Sequence, residues 1–334
     1  MKIVIVTPAA SRVRNGNRNT AQRWASFLRQ LGHRVSVQVE WDGNRVDLML
    51  ALHARRSHAS IKRFAECWPE LPLIVALTGT DLYRDIRNDC SAQESMQLAT
   101  RLVVLQEMGL NELAPALREK THVIYQSARA FKSAQPSKRR FEACVIGNLR
   151  EEKDPFRCAL AAALLPENSK IYITHMGRAL NDGMARQAHA LMEKNPRYRW
   201  LDELPHWQVR SRLARCRLMV ISSIMEGGAN VVSEALAAGV PVIASDISGN
   251  IGMLGADYAG FYPCGNERAL ADLLHRAETS PEFYDLLKAQ CVVRKSLVEP
   301  EQELAGLEQL IATASATSSL PDGPSPVPRA GKAV

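Results

Sequence analysis

Short apolar runs separated by amphipathic stretches set the pattern of this chain. Ile3 to Val6, Arg34 to Val39, Leu48 to Leu52, Leu73 to Leu77, Leu102 to Leu105 and His122 to Tyr125 read as strands. Thr20 to Leu31 reads as an amphipathic helix stopped by Gly32, and Ser91-Ala92-Gln93-Glu94 as a capping box opening the helix before Leu102. After a polar, basic stretch from Ala134 to Arg140 that reads as a linker, the alternation starts again. Strands are predicted at Ala143 to Gly147, Lys170 to Met176, Tyr198 to Leu201 and Leu218 to Ile221. Helices are predicted at Pro155 to Leu165, Met184 to Lys194, Ala269 to Ala277, Pro281 to Val293 and Glu299 to Ala312. Another helix opens near Asn230 and closes at Gly239, and Pro241 then leads into a further apolar strand. Such alternation implies α/β architecture, with parallel sheets and ligands beyond the carboxyl ends of the strands. Two Rossmann-like halves, 1–136 and 138–298, leave a cleft between them, and domain interfaces are favoured ligand sites.

Composition narrows the class. At 334 residues the chain is long enough for two domains with separate cores. Its 46% apolar and 23% charged residues are those of a soluble globular protein, and no apolar run approaches the roughly 20 residues of a membrane span. The sequence opens directly on a strand, Lys2-Ile3-Val4-Ile5-Val6, with no signal peptide expected. Seven cysteines without a Cys-x-x-Cys pair point to reduced thiols in the cytoplasm, not to a disulfide frame or zinc site. The tail 313–334, with Pro321, Pro324, Pro326 and Pro328 among Ser, Gly and Ala, reads as disordered.

The net charge of +7 is uneven. Residues 1–140 hold 22 Lys and Arg against 12 Asp and Glu, a balance of +10, whereas 141–334 hold 20 against 23, a balance of −3. A basic first half calls for an anionic partner. Nucleic acid is a poor candidate, because the chain has no nucleic-acid motif and no aromatic interleaving.

Candidate chemistry concentrates in four stretches. The first is Ser222-Ser223-Ile224-Met225-Glu226-Gly227-Gly228-Ala229-Asn230-Val231-Val232-Ser233-Glu234. A loop there holds one carboxylate and a helix holds a second eight residues on, so both can face one elongated ligand; Gly227 and Gly228 let backbone approach it. The second, Val145 to Pro155, puts Arg150 and Lys153 between a strand and a helix. The third, Ser11 to Thr20, gathers Arg12, Arg14, Arg18, Asn15, Asn17, Asn19 and Gly16, and arginine forks suit oxyanions. It is not Gly-x-Gly-x-x-Gly, which argues against a nicotinamide dehydrogenase. The fourth, Thr78-Gly79-Thr80-Asp81, follows a buried strand and so lies at the cleft edge; His53, Gln126 and Ser127 are further lip candidates. A surface loop, a solvated charged turn or a packed histidine is the plainer account of any one of these taken alone.

The 222–244 stretch resembles the Glu-x7-Glu signature of nucleotide-sugar glycosyltransferases with the GT-B fold. That resemblance implies two Rossmann-like domains, an N-terminal acceptor domain and a C-terminal UDP-sugar domain, with the helix at about 299–312 packing back on the first. It also implies that Glu226 contacts sugar hydroxyls, Glu234 the nucleotide ribose, and Arg150 and Lys153 the diphosphate. Glu226, Lys153 and Arg150 are then the catalytic candidates, and Gly16, Gly227, Gly228, Ala229 and Asn230 complete the donor site. Fixed cations at the diphosphate stabilise a leaving group that gains charge in the transition state. Two positions depart from the family: Ala229 stands where glycine is usual and Asn230 where an apolar residue is usual. Asp-x-Asp is absent from the chain, so no metal and no other cofactor is expected.

The wording of Asn-Gly-Asn-Arg-Asn-Thr, Leu-Thr-Gly-Thr-Asp-Leu-Tyr, Asn-Leu-Arg-Glu-Glu-Lys-Asp-Pro and Met-Glu-Gly-Gly-Ala-Asn-Val-Val-Ser-Glu is similar to one branch, the selenosugar synthases of selenoneine biosynthesis. That resemblance implies transfer from UDP-N-acetylglucosamine or UDP-glucose to selenophosphate. The acceptor-binding candidates are then Arg12, Asn15, Arg18, Asn19, Thr78, Thr80 and Asp81. An alcohol or lipid-linked acceptor at a membrane surface is the alternative. The partners expected are small substrates, without nucleic acid and without stable membrane insertion. The sugar, the stereochemical course, the catalytic base and the oligomeric state stay open.

Overall fold

The computed structural model describes residues 1–8, 16–131, 135–137 and 139–317. Among the described residues twelve strands form two six-stranded sheets. The first holds β1 (Lys2–Val6), β2 (Arg34–Gln38), β3 (Leu48–Leu52), β4 (Leu73–Leu77), β5 (Arg101–Val104) and β6 (Thr121–Val123) in the order β2-β1-β3-β4-β5-β6. The second holds β7 (Phe141–Ile146), β8 (Ile171–Met176), β9 (Tyr198–Trp200), β10 (Leu218–Ile221), β11 (Val242–Ser245) and β12 (Phe261–Tyr262) in the order β12-β11-β10-β7-β8-β9. Every pairing is parallel, as in Ile5 against Leu50 and Val220 against Val145. The chain therefore has the two-domain, Rossmann-like GT-B fold.

Apolar runs such as Leu-Met-Leu-Ala-Leu in β3 and Leu-Ile-Val-Ala-Leu in β4 are buried throughout, as parallel strands covered on both faces must be. Their period of two sorts side chains between the faces. Val4, Val6, Met49, Ala51, Val75 and Leu77 pack on one side with Trp41 and Phe64. Ile3, Ile5, Leu48, Leu50, Ile74 and Ala76 pack on the other with Trp24 and Leu28. The helix Pro300–Thr317 joins that second face through Leu307, Leu310, Ile311 and Ala314. At about 1.5–3 kcal/mol per buried large aliphatic side chain, this contact holds the C-terminal helix on the first sheet.

Strand order places the crevices. In the second sheet the direction of winding reverses between β7 and β10, and in the first between β1 and β3. Ligands of doubly wound sheets bind outside the carboxyl ends at such reversals. The turn after β7 carries Lys153, the turn after β10 carries Glu226, and His53 ends β3.

Several boundaries differ from the sequence reading. The first helix runs Gly16–Gln30, starting four residues before Thr20, because a polar first turn gives no apolar period to read. The helix Cys90–Leu98 is capped by Asp89, which accepts from Ala92 N at 2.9 Å, so Ser91 lies inside the helix and makes no capping box. The last helix extends to Thr317, beyond Ala312, since Ala314 still has core to cover. Residues 318–334, expected to be disordered, lie outside the described residues.

Candidate active site

The helix carrying the second glutamate is Asn230–Ala238, closed by Gly239 at φ +69. Its Ala229 cap makes no side-chain hydrogen bond, so the cap leaves the N–H groups of Asn230 and Val231, two residues that line the cleft, uncovered. The methyl of Ala229 is packed into the second core, which accounts for alanine at that departure from the family. Asn230 serves the cleft differently: its Oδ1 accepts from Arg23 Nη1 at 3.1 Å, across the two domains. Gly16, at the start of the opposing helix, would point a Cβ at Asn230 Nδ2 4.0 Å away.

Glu226 and Lys153 form an ion pair through Oε1 and Nζ. Ser223 Oγ donates to the same Oε1 at 2.6 Å, and Glu226 is 8% exposed. The two turns are laced together: Ser222 Oγ donates to the carbonyls of Lys153 and Asp154, and Ile224 N donates to Glu152 O at 3.0 Å. Asp154 sits at φ +42, a left-handed position that ends the short turn Glu151–Lys153. Behind Glu226, Ser245 Oγ donates to Ser223 O, and Asn250 Nδ2 donates to Ser245 O at 3.0 Å. A Cβ on Gly249 would lie 1.9 Å from Glu226 O, so glycine is required there. Ser223 lay in the candidate stretch without a role, and Ser245, Gly249 and Asn250 went unnoticed in the sequence, where their signal was the small-residue run Ala244-Ser245-Asp246-Ile247-Ser248-Gly249-Asn250.

Arg150 precedes Lys153 on the same turn and has no ion pair among the described residues. The stem of Lys153 lies along Gly147. Gly147 is in turn fixed from behind: His175 Nε2 lies 3.0 Å from its carbonyl and must donate, leaving Nδ1 to accept from Tyr198 OH at 3.0 Å. Burial pushes His175 down to about 4, so the ring is neutral at pH 7.

A cleft of about 690 Å³ opens between the sheets, and Glu234 lines it together with Asn230, Arg18, Asn19, Arg23, Arg129, His206 and Arg210. His206 Nε2 lies 2.7 Å from Glu234 Oε1. A second groove, about 740 Å³, lies on the other side of the helix His206–Leu213 around Trp207, Arg212 and Arg215, and it contains none of the expected site residues.

The first-domain candidates divide. Arg18 and Asn19 line the cleft, whereas Arg12, Arg14 and Asn15 lie outside the described residues. The carbonyl of Thr78 abuts Gly227. Asp81 is corrected: it is wholly buried, with Oδ1 accepting from Thr78 N and Gly79 N and Oδ2 from Ala54 N, so its carboxylate is committed to backbone and not to an acceptor. The glycine pair has a packing use that the sequence did not announce. A Cβ on Gly227 would lie 2.4 Å from Thr78 O, and one on Gly228 would lie 2.5 Å from Leu105 Cβ, so both glycines serve contact between the domains. His53, at φ +73 and 2% exposed, reaches Thr80 Oγ1 at 3.0 Å, while its Nδ1 accepts from Arg56 N. Burial chiefly lowers its pKa, and the neutral ring orients Thr80. Gln126 Nε2 donates to Thr20 Oγ1, and Ser127 is taken by Glu303.

Among the described residues no group of three or more His, Cys, Asp or Glu is placed to hold a metal ion, and no helix is long and apolar enough to cross a membrane.

Residues 126–290 match the family described as Glycosyl transferases group 1. No curated protein sequence matches the chain. Among solved structures it is similar to HepE of Anabaena in complex with UDP and glucose, at 15% identity and a TM-score of 0.74, over 95% of this chain and 100% of that one. Sucrose-phosphate synthase of Thermosynechococcus elongatus aligns at 14% identity and a TM-score of 0.75, over 95% and 99%. A lipopolysaccharide outer core galactosyltransferase aligns at 12% identity and a TM-score of 0.70, over 94% and 99%.

Proposed function

We propose that this chain, a glycosyltransferase of GT-B fold with a group 1 glycosyl transferase segment at 126–290, transfers the sugar of UDP-N-acetylglucosamine or UDP-glucose to selenophosphate. The reaction forms a carbon–selenium bond in selenoneine biosynthesis. The observation that carries the transferase reading is the Lys153–Glu226 pair at the β7–β10 crevice, with Glu234 one turn into the helix that follows and lining the cleft. In this reading the diphosphate lies on Arg150 and Lys153, the ribose on Glu234, and the sugar on Glu226 and the amides of Gly227 to Asn230. Lys153 would then stand between the sugar carboxylate and the phosphates, where it meets the charge that develops as UDP leaves.

The acceptor follows from the wording of the motifs and from charge. Arg18, Arg23, Arg129 and Arg210 line the cleft against two carboxylates, Glu203 and Glu234, and a small oxyanion suits that balance. Arg18, Asn19, Thr78 and Thr80 remain its proposed contacts. Selenium of selenophosphate attacks the anomeric carbon, the carbon–oxygen bond to UDP breaks, and UDP departs with the electron pair. Water then takes the phosphoryl group from selenium, giving the 1-selenosugar and phosphate. An anionic nucleophile needs no general base, in keeping with a neutral His53 turned to Thr80. Neither metal nor other cofactor enters this scheme, and the reaction is placed in the cytoplasm.

An alcohol or lipid-linked acceptor at a membrane surface has one observation in its favour. Leu286, Val292 and Val293 stand 45%, 61% and 76% exposed along the helix Pro281–Arg294. Mass spectrometry after mixing the protein with either UDP-sugar and fresh selenophosphate separates the readings. A selenium isotope pattern on a hexose-type product with release of UDP is the expected result. UDP released without a selenium product turns the assignment to alcohol acceptors, and binding without release to a non-catalytic sensor.

A further inference from the structure

The cleft contains a residue pair that no motif announced. Glu234 is 17% exposed at its side chain, lies one turn into its helix, and gives Oε1 to His206 Nε2 at 2.7 Å. Its Oε2 has no hydrogen bond among the described residues, and it is not among the buried polar atoms left without a partner, so water or a ligand reaches it. His206 comes from the second domain's other cleft wall. It is the first residue of the helix His206–Leu213, fixed there by Pro205 at φ −54. The connection that delivers it leaves β9 through Asp202, a non-glycine residue at φ +54 whose carbonyl accepts from Gly177 N at 2.9 Å. Strained backbone of this kind costs about 1–3 kcal/mol and persists only where its surroundings hold it. His206, Val209 and Arg210 fall on one face of their helix by i, i+3, i+4 spacing, and all three line the cleft with Glu234.

We propose that His206 is a positioning residue for the ribose of the donor. Its Nε2–H holds one oxygen of Glu234 and turns the other toward the cleft, so the carboxylate meets the ribose hydroxyls in one orientation instead of sampling several. This inference rests on the donor map proposed above, in which Glu234 takes the ribose. An exposed ion pair is worth little in water, because solvent screens it and the side chains lose freedom. His206 is 64% exposed, so its effect belongs to the complex, where the nucleotide covers the pair. The consequence is specific: loss of His206 weakens the contribution of the ribose hydroxyls and leaves the diphosphate and sugar contacts in place.

Titration calorimetry of UDP and 2′-deoxy-UDP against the full chain, His206→Ala and His206→Gln tests this. The original protein prefers UDP. In His206→Ala the affinity for UDP falls about tenfold, the weight of one hydrogen bond to a charged group, and that for 2′-deoxy-UDP barely changes, so the preference collapses. His206→Gln, which keeps an N–H donor, restores part of it. Equal losses for both nucleotides, or an unchanged preference in His206→Ala, overturn the assignment while leaving the donor map standing. Failure of the original protein to bind UDP, or to distinguish the two nucleotides, removes the donor map's ribose contact and the His206 assignment with it.

Discussion

A buried histidine with both nitrogens committed couples the turn after β7 to pH. His175 donates to Gly147 O and accepts from Tyr198 OH, and Gly147 starts the turn that carries Arg150 and Lys153. Its pKa is lowered, from 6.5 to about 4, first by burial. The unfolded chain therefore binds a proton that the folded chain refuses between those values, and stability present above pH 6.5 is lost as pH falls toward 4. At pH 4.5 the loss from this one group is on the order of 2–3 kcal/mol. Urea unfolding of His175→Gln is expected to show that much less difference between pH 7 and pH 4.5 than the original protein. An unchanged acid limb would assign the pH sensitivity to other groups. No motif could have marked this residue, because a histidine in an apolar strand looks the same whether it packs or reacts.

Elements, by contrast, were largely legible. The βα alternation, the parallel sheets and the helix opening at Asn230 follow from apolar runs of four to six residues separated by glycine and proline punctuation. Glu226, Glu234, Arg150 and Lys153 were singled out through the Glu-x7-Glu resemblance, and of these the structure pairs Glu226 with Lys153. What the sequence hid was long-range pairing: Asp81 turned inward to three backbone N–H groups, Gly249 made room for Glu226 O, and His206 met Glu234 from 28 positions away. The C-terminal helix shows the same limit. Its Glu303 is 1% exposed and receives Trp24 Nε1 at 2.6 Å, Arg23 Nε at 2.8 Å and Ser127 N at 2.8 Å. A buried carboxylate fully supplied with donors is costly to disturb, because replacing one of its oxygens by a donor strands every group that oxygen served. Glu303→Gln places an amide NH₂ among those donors and is expected to cost about 3 kcal/mol in urea unfolding. Glu301→Gln, on the exposed first turn of the same helix, is expected to stay within about 0.5 kcal/mol. Equal effects of the two substitutions would show that the helix is held by Leu307, Leu310 and Ile311 alone.

At the scale of the whole molecule, the two domains touch through backbone where side chains would keep them apart. Thr78 O lies 2.4 Å from where a Gly227 Cβ would stand, and Leu105 Cβ lies 2.5 Å from that of Gly228. Neither glycine has a positive φ, so alanine suits the backbone of the second domain taken by itself. The obstruction exists only across the domain gap, and for Gly227 it is backbone, which no rotamer change relieves. Arg294 and Tyr125 tie the same closed arrangement from another side, both donating to Gly252 O, and Arg294 also pairs with Glu107. Gly227→Ala should therefore leave each domain folded while forcing them apart. Its radius of gyration in solution scattering is expected to rise and its kcat to fall by about 10²-fold or more, because displacing reacting groups by an ångström is enough for that. The affinity for UDP, whose proposed contacts lie within the second domain, is expected to stay within about threefold, since no donor or acceptor to the nucleotide is removed. If radius and kcat both hold, the contact between Thr78 and Gly227 is not the working geometry. If UDP affinity falls with kcat, the diphosphate or ribose must draw on the first domain as well, and Arg18 and Asn19 at the start of the helix Gly16–Gln30 become its contacts.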